Sequence, residues 1–267
     1  MKRIEIGGIE LAVVDRGAGV PLVLVHGFPV DHSMWQGQID GLAGNCRVIA
    51  PDLRGFGRSS VTQGAVTMGE MADDLDAMLD RLGIDERVVL CGLSMGGYVA
   101  FQFWARHPQR LGGLVLCDTR AAPDTPETAR ARRATADQVV AEGPRALVDG
   151  MIPKLFAKST LAESPELIEQ TRRVILAAPP EGIAAAARGM AERPDMTPRL
   201  PQITCPALLI VGCEDVISTV EEMRTIAERI PNRRLVEIAG AGHMAPLEQP
   251  EAVNAAIRAW LAECVTG

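Results

Sequence analysis

The chain has 267 residues, of which 47% are hydrophobic and 23% charged, with a formal net charge of −7 at pH 7. That length fits one large α/β domain or two small ones, and the composition supplies a sizeable buried core. The acidic balance and the 3% aromatic content leave neither a basic stripe nor a stacking platform, which argues against nucleic acid as a partner.

The opening "MKRIEIGGIELAVV" carries basic residues but no apolar signal core, and its alternation predicts a hairpin around Gly7-Gly8. No run approaches the length of a membrane-spanning helix, so no membrane partner is expected. "PLVLVHG" and "CRVIAPD" are continuous apolar runs suited to strands covered on both faces. Met68 to Leu82 places Met71, Leu75, Met78, Leu79 and Leu82 at helical spacing, with Gly83 beyond the end. "RVVLCG" predicts another strand, followed by a helix over Gly96 to His107 that stops before Pro108. "GGLVLCD" and "PALLIVG" predict two further strands. A helix around Glu221 to Arg229, the strand "RLVEIAG" and a terminal helix from Pro250 to Glu263 complete the pattern.

Buried strands alternating with helices predict a mostly parallel sheet with helices on both faces. From Arg120 to Leu200 the rhythm breaks into Ala-, Arg- and Pro-rich helical pieces without a good strand. This predicts three segments: a core over 1–119, a helical cap over 120–200, and the rest of the core over 201–267. Long crossover helices are the alternative. The cysteines at 46, 91, 117, 205, 213 and 264 are scattered with no CxxC pair, which predicts free thiols in a reducing, cytoplasmic compartment.

The stretch "LCGLSMGGYVAF" sets Ser94 between glycines where a strand becomes a helix. Gly92-Leu93-Ser94-Met95-Gly96 fits G-x-S-x-G, a sharp elbow that exposes a hydroxyl above the strand ends. Three fixed residues are a weak signal alone, and a serine needs a base to become a nucleophile. Of the histidines, His107 ends the helix that Ser94 begins, about 20 Å away at 1.5 Å per residue. His26 and His32 lie in a loop after an early strand, and either could line the site. His243 sits in the glycine-rich "GAGHMAP" between the last strand and the last helix.

The chain order Ser, acid, His for such an elbow selects His243 as base. Asp215, after "PALLIVG", is the first candidate for the acid, and Asp118, after "GGLVLC", the second. The backbone N–H groups of Met95 and Phe28 are the candidate oxyanion donors. Phe28, Trp35 and Arg120 are candidate substrate-pocket residues, Arg120 as a cation for an anionic substrate. Apolar residues such as Met151, Leu155, Phe156, Ile175 and Met190 fit a pocket wall or core packing equally. The chain has no HExxH, no Walker A, no full GxGxxG and no zinc-spaced His/Cys cluster, so neither a metal nor an organic cofactor is expected.

Taken together, "VHGFP", "PDLRGFGRS", "GLSMGG", "VGCED" and "GAGHMAPLEQP" resemble the successive landmarks of the α/β-hydrolase superfamily. The resemblance covers nearly the whole chain. It implies an eight-stranded, mostly parallel sheet, a helical cap between the sixth and seventh strands, and Ser94, Asp215 and His243 as nucleophile, acid and base. Within the superfamily the chain is most similar to bacterial carboxylesterases, enol-lactonases and cofactor-free perhydrolases. The implied substrates are small esters, with lactones as the alternative and hydrogen peroxide as a side co-substrate. Dehalogenases and epoxide hydrolases of the superfamily carry an aspartate where this chain has Ser94. In "DLRGFGRS", Asp52 and Arg54 are expected to brace the loop that Gly55 and Gly57 turn. A small-molecule receptor on the same fold is the reading from a different functional class. The sequence leaves the oligomeric state open.

Overall fold

The first strands form the expected hairpin: β1 (Lys2–Ile6) pairs antiparallel with β2 (Ile9–Arg16), with both Gly7 and Gly8 at positive φ in the turn. The structure, a computed structural model, describes residues 1–264, and of Cys264 only the backbone. Next come β3 (Pro21–Val25), a 3₁₀ turn at His32–Trp35, α1 (Gln36–Leu42) and β4 (Arg47–Pro51). Then follow α2 (Met68–Arg81), β5 (Val88–Leu93), α3 (Met95–Arg106) and β6 (Leu111–Cys117). A capping box starts α2, in which the Thr67 hydroxyl and the Glu70 carboxylate satisfy each other's backbone N–H groups.

The eight strands of the sheet run in the order β1-β2-β4-β3-β5-β6-β7-β8, with β7 at Ala207–Gly212 and β8 at Arg233–Ile238. Pairs from β4 onward are parallel, and only β1 and β2 run against their neighbours. This is the α/β-hydrolase fold that the resemblance implied. Along β3 the side chains alternate between two cores: Val23 and Val25 face one, Leu22 and Leu24 the other. Helices therefore cover both faces of the sheet. Strand β3 is followed in space by β4 on one side and β5 on the other. The direction of winding reverses there, and such a switch point opens a crevice at the carboxyl ends of the strands.

Between β6 and β7 lie five α-helices, a 3₁₀ turn at Thr197–Gln202 and no strand: α4 (Pro126–Glu142), α5 (Arg145–Leu155), α6 (Lys158–Glu163), α7 (Pro165–Ala177) and α8 (Pro180–Met190). Val148, Ile152, Leu155 and Phe156 join the same apolar cluster as Met34, Leu93 and Met244, beside the carboxyl ends of β3, β5 and β8. Helix α8 leans on the loop after β4, where the Val66 N–H donates to the Ala185 carbonyl at 3.0 Å. The chain closes with α9 (Val220–Arg229), α10 (Ala245–Glu248) and α11 (Pro250–Cys264). Among the described residues no helix is long and apolar enough to cross a membrane. Cys46, Cys91, Cys117, Cys205 and Cys213 are free thiols, and the Cys264 side chain lies outside the described residues.

Candidate active site

Ser94 stands between β5 and α3 at φ 54°, one of two non-glycine residues described with positive φ. Its hydroxyl caps none of the first N–H groups of α3, and the residue is partly exposed in a buried segment. The turn is held by its carbonyl, which accepts the Thr119 hydroxyl at 2.8 Å and the Gly97 N–H at 2.9 Å. The sharpness of the elbow requires Gly96: a Cβ there would lie 2.2 Å from the Val25 carbonyl oxygen, at the end of β3. Gly27 packs on the other side: a Cβ built on it would lie 2.8 Å from Leu93 Cδ2 and 3.6 Å from the Ser94 Cβ. The loop after β3 is thereby packed against Ser94. Among the described residues, neither the Phe28 nor the Met95 N–H donates to a backbone carbonyl. Met95 is the first residue of α3, where the orphan N–H groups and the helix dipole favour negative charge.

The ring of His243 is buried, and its Nδ1 lies 2.8 Å from Asp215 Oδ2. Against an ionised carboxylate, which only accepts, Nδ1 is the donor. The other oxygen of Asp215 accepts the N–H groups of Ile217 (2.7 Å) and Ser218 (3.0 Å), which fixes the carboxylate in the turn after β7. Ser94 and His243 make no direct hydrogen bond among the described residues, a contact that commonly tightens only with substrate bound.

Asp118, the second candidate for the acid, is wholly buried at φ 45° after β6. Its Oδ1 accepts the Gly212 N–H at 2.8 Å, while Oδ2 has no partner. Burial, and next the negative Asp215 nearby, push its carboxyl well above the ordinary aspartate range. Asp118 therefore holds its proton where an exposed aspartate would not, and it is Asp215 that meets the imidazole.

The remaining histidines have other partners. His26 is fully buried, and its Nε2 accepts the Leu53 N–H at 3.0 Å while Nδ1 donates to the Gly27 carbonyl at 2.8 Å. That neutral form is the one burial favours, lowering the pKa of the ring. His32 Nδ1 donates to Asp52 Oδ1 at 2.6 Å. Burial alone would lower the His32 pKa and raise that of Asp52, but the bond and charge between them outweigh it in both directions. Asp52 also accepts the Arg58 N–H at 2.9 Å, and Arg54 pairs with Asp74, so "DLRGFGRS" is braced as expected. His107 pairs with Asp73 and Asp76, away from Ser94.

Among the described residues, Asp31, His32 and Asp52 form a group whose potential metal-ligand atoms lie within 4.8 Å of one another. The nearest of these atoms are engaged, Asp52 with His32 and Asp31 with the Ser33 N–H and hydroxyl.

The candidate pocket residues separate. Phe28 is half-buried, with its ring edge-on to Phe56 and beside Ala136, Ala184 and Ala187 of α4 and α8, at the seam between core and insertion. Trp35 is a core side chain, wholly buried in the apolar cluster that also holds residues of α1 and α11. Arg120 reaches outward to Glu222 on α9 and to the Ile217 carbonyl, so its guanidinium braces the turn that carries Asp215. It borders a depression of 210 Å³ with Ala121, Leu200 and Ile226. Leu155, Phe156, Ile175 and Met190 are buried, whereas Met151 borders a 280 Å³ cavity between α4 and α5. Glu248 carried no expected role, although "GAGHMAPLEQP" contains it. Its signal was an acidic residue five positions after the histidine, following the apolar Met244–Leu247.

Residues 20–250 match the alpha/beta hydrolase fold family. The chain is 30% identical over 238 residues to 3-oxoadipate enol-lactonase 2 of Acinetobacter baylyi, covering 89% of this chain and 87% of the relative. Among solved structures, a thermophilic esterase from Thermogutta terrifontis with malate bound superposes with a TM-score of 0.97 at 52% identity, over 99% of each chain. The enol-lactonase from Burkholderia xenovorans superposes with a TM-score of 0.91 at 30% identity, over 98% of this chain and 100% of the other.

Proposed function

This chain belongs to the alpha/beta hydrolase family, and we propose that it is a serine hydrolase of small carboxylic esters. The observation that carries the proposal is Ser94 at φ 54°, partly exposed on the elbow, with the Phe28 and Met95 N–H groups unspent and His243 bonded to Asp215. The hydroxyl at position 94 sets it apart from the aspartate nucleophiles of dehalogenases and epoxide hydrolases.

In this reading the Ser94 Oγ attacks the ester carbonyl carbon, and the C=O π pair moves onto oxygen. His243 Nε2 takes the Ser94 proton, and the Asp215 carboxylate stabilises the imidazolium. The oxyanion accepts hydrogen bonds from the Phe28 and Met95 N–H groups. Collapse of the tetrahedral intermediate breaks the bond to the leaving alkoxide, which receives the proton from His243. Water then attacks the acyl-enzyme with His243 as base, releasing the acid and restoring the Ser94 hydroxyl. Residues 120–200 serve as the cap that selects the acyl group and perform no chemistry.

A second reading, favoured by the two enol-lactonase relatives, is lactone opening by the same steps. There the leaving alkoxide stays tethered to the acyl group. A panel of p-nitrophenyl esters and lactones, assayed with wild type and Ser94→Ala, tests both. Turnover that Ser94→Ala abolishes supports the mechanism, and the preferred substrate class decides between the readings. Saturable binding without multiple turnover would instead identify a receptor.

A further inference from the structure

One carboxylate ties two parts of the chain together. Glu248 ends α10, and its Oε1 accepts the N–H of Gly242, the residue before His243, at 2.8 Å. Its Oε2 accepts the Ala157 N–H at 2.8 Å and the Thr160 hydroxyl at 2.6 Å, where α6 begins in the insertion. On the other side of His243, the Met244 N–H donates to the Leu155 carbonyl at 3.1 Å. The approach is tight, since a Cβ on Gly242 would lie 2.6 Å from the Ala157 nitrogen. Beside Asp215, Glu214 Oε2 accepts the Lys158 N–H at 3.3 Å. Leu155 and Lys158 are therefore bonded directly to Met244 and Glu214, and Ala157 and Thr160 are joined to Gly242 through the Glu248 carboxylate.

Glu248 is half-buried, and burial raises its carboxyl above the ordinary glutamate value despite these three donors. A buried carboxylate is costly, and an apolar residue would fill this space at less cost. What an apolar residue lacks is direction: one carboxylate accepts three hydrogen bonds, one from the backbone beside His243 and two from the start of α6, and so ties the two together.

We infer that Glu248 is a positioning residue for His243, coupling the start of α6 in the insertion to the aim of the base. The inference rests on His243 being the base. A substrate that displaces residues 155–160 would then move the imidazole, so occupancy of the cap is felt at the chemistry.

The test uses kcat and KM for p-nitrophenyl acetate, with folding of each variant checked by circular dichroism. Glu248→Gln turns one acceptor oxygen into a donor that faces donors. It is expected to lower kcat about tenfold or more, with KM within about twofold. Thr160→Val removes only the hydroxyl on the insertion side and is expected to lower kcat about two- to fivefold. Because Thr160 acts through Glu248, the double variant is expected to match Glu248→Gln alone. Unchanged kcat in both single variants, an effect on KM alone, or full multiplication of the two effects would overturn the inference. If Glu248→Gln does not fold, unchanged kcat in Thr160→Val alone overturns it. His243→Ala separates the two levels. Full turnover by that variant removes the base itself, whereas an inactive His243→Ala beside unaffected Glu248 and Thr160 variants removes only the coupling.

Discussion

Replacing Asp215 with Asn is expected to lower kcat by about 10⁴, equivalent to about 5 kcal/mol of barrier. Asp215 Oδ1 accepts two backbone N–H groups, from Ile217 at 2.7 Å and Ser218 at 3.0 Å, so an asparagine must keep its carbonyl oxygen there. Its NH₂ group then takes the place of Oδ2, 2.8 Å from His243 Nδ1. Two donors cannot bond, and the ring answers by moving its proton to Nε2, the atom that in the proposed mechanism accepts from Ser94. The magnitude is that of the same substitution in the template serine-protease triad, where geometry survives and the tautomer does not. Asp118→Asn is the control. Its Oδ1 accepts the Gly212 N–H, Oδ2 has no partner, and the carboxyl is already biased toward its neutral form, which an amide imitates. Its φ of 45° is a region that asparagine adopts readily. Its kcat is expected to stay within about tenfold of wild type. The assay is steady-state hydrolysis of p-nitrophenyl acetate on variants with wild-type circular dichroism. An Asp215→Asn variant within tenfold of wild type, or one more active than Asp118→Asn, would refute the reasoning and move the acid to β6.

Two glycines of the insertion are expected to respond oppositely to alanine. In Gly182→Ala the new Cβ would lie 1.8 Å from the Gly55 carbonyl oxygen, and a loss of about 3 kcal/mol or more is expected from urea unfolding midpoints. Gly150, inside α5, has nothing within 4 Å of its Cβ position, so Gly150→Ala is expected to gain about 0.5–1 kcal/mol in the same assay. The His32–Asp52 pair predicts a pH-dependent stability. The His32 pKa is raised by folding, so its contribution is full below about 6.5 and fades as pH rises through the raised value. The Asp52 pKa is lowered, so its contribution is present above about 3.9 and fades as pH falls through the lowered value. The Tm difference between wild type and His32→Gln is therefore expected to be larger at pH 5.5 than at pH 9, and a constant difference would refute the pairing.

The parts of this molecule that were legible in sequence are those with a local signal. Strands β3 to β7 are continuous apolar runs bounded by turn residues, and the elbow at Ser94 needs glycines within two residues of it. Helix α1 was missed because Gly37 and Gly41 lower its helix propensity. Their reason is tertiary: a Cβ on Gly37 would lie 2.7 Å from the Pro250 Cβ, and one on Gly41 2.3 Å from Asn254 Nδ2, so bare backbone packs on α11. The same distinction separates the site residues. His243 follows from chain order and Asp215 from its place after an apolar strand, but the surroundings of Arg120 and Trp35 depended on a partner 102 residues away and on burial in a cluster drawn from distant segments. Glu248 bonds to Thr160 over 88 residues of chain, and no pattern near "PLEQP" records that contact.

Mass spectrometry reads the nucleophile itself when the chain is quenched in acid during turnover of a p-nitrophenyl ester. The expected result is one added acyl group per chain, mapped by peptide digestion to Ser94 and absent from Ser94→Ala, which also loses turnover. An acyl group on any other residue, or undiminished turnover by folded Ser94→Ala, would contradict the assignment of a serine nucleophile to the elbow between β5 and α3.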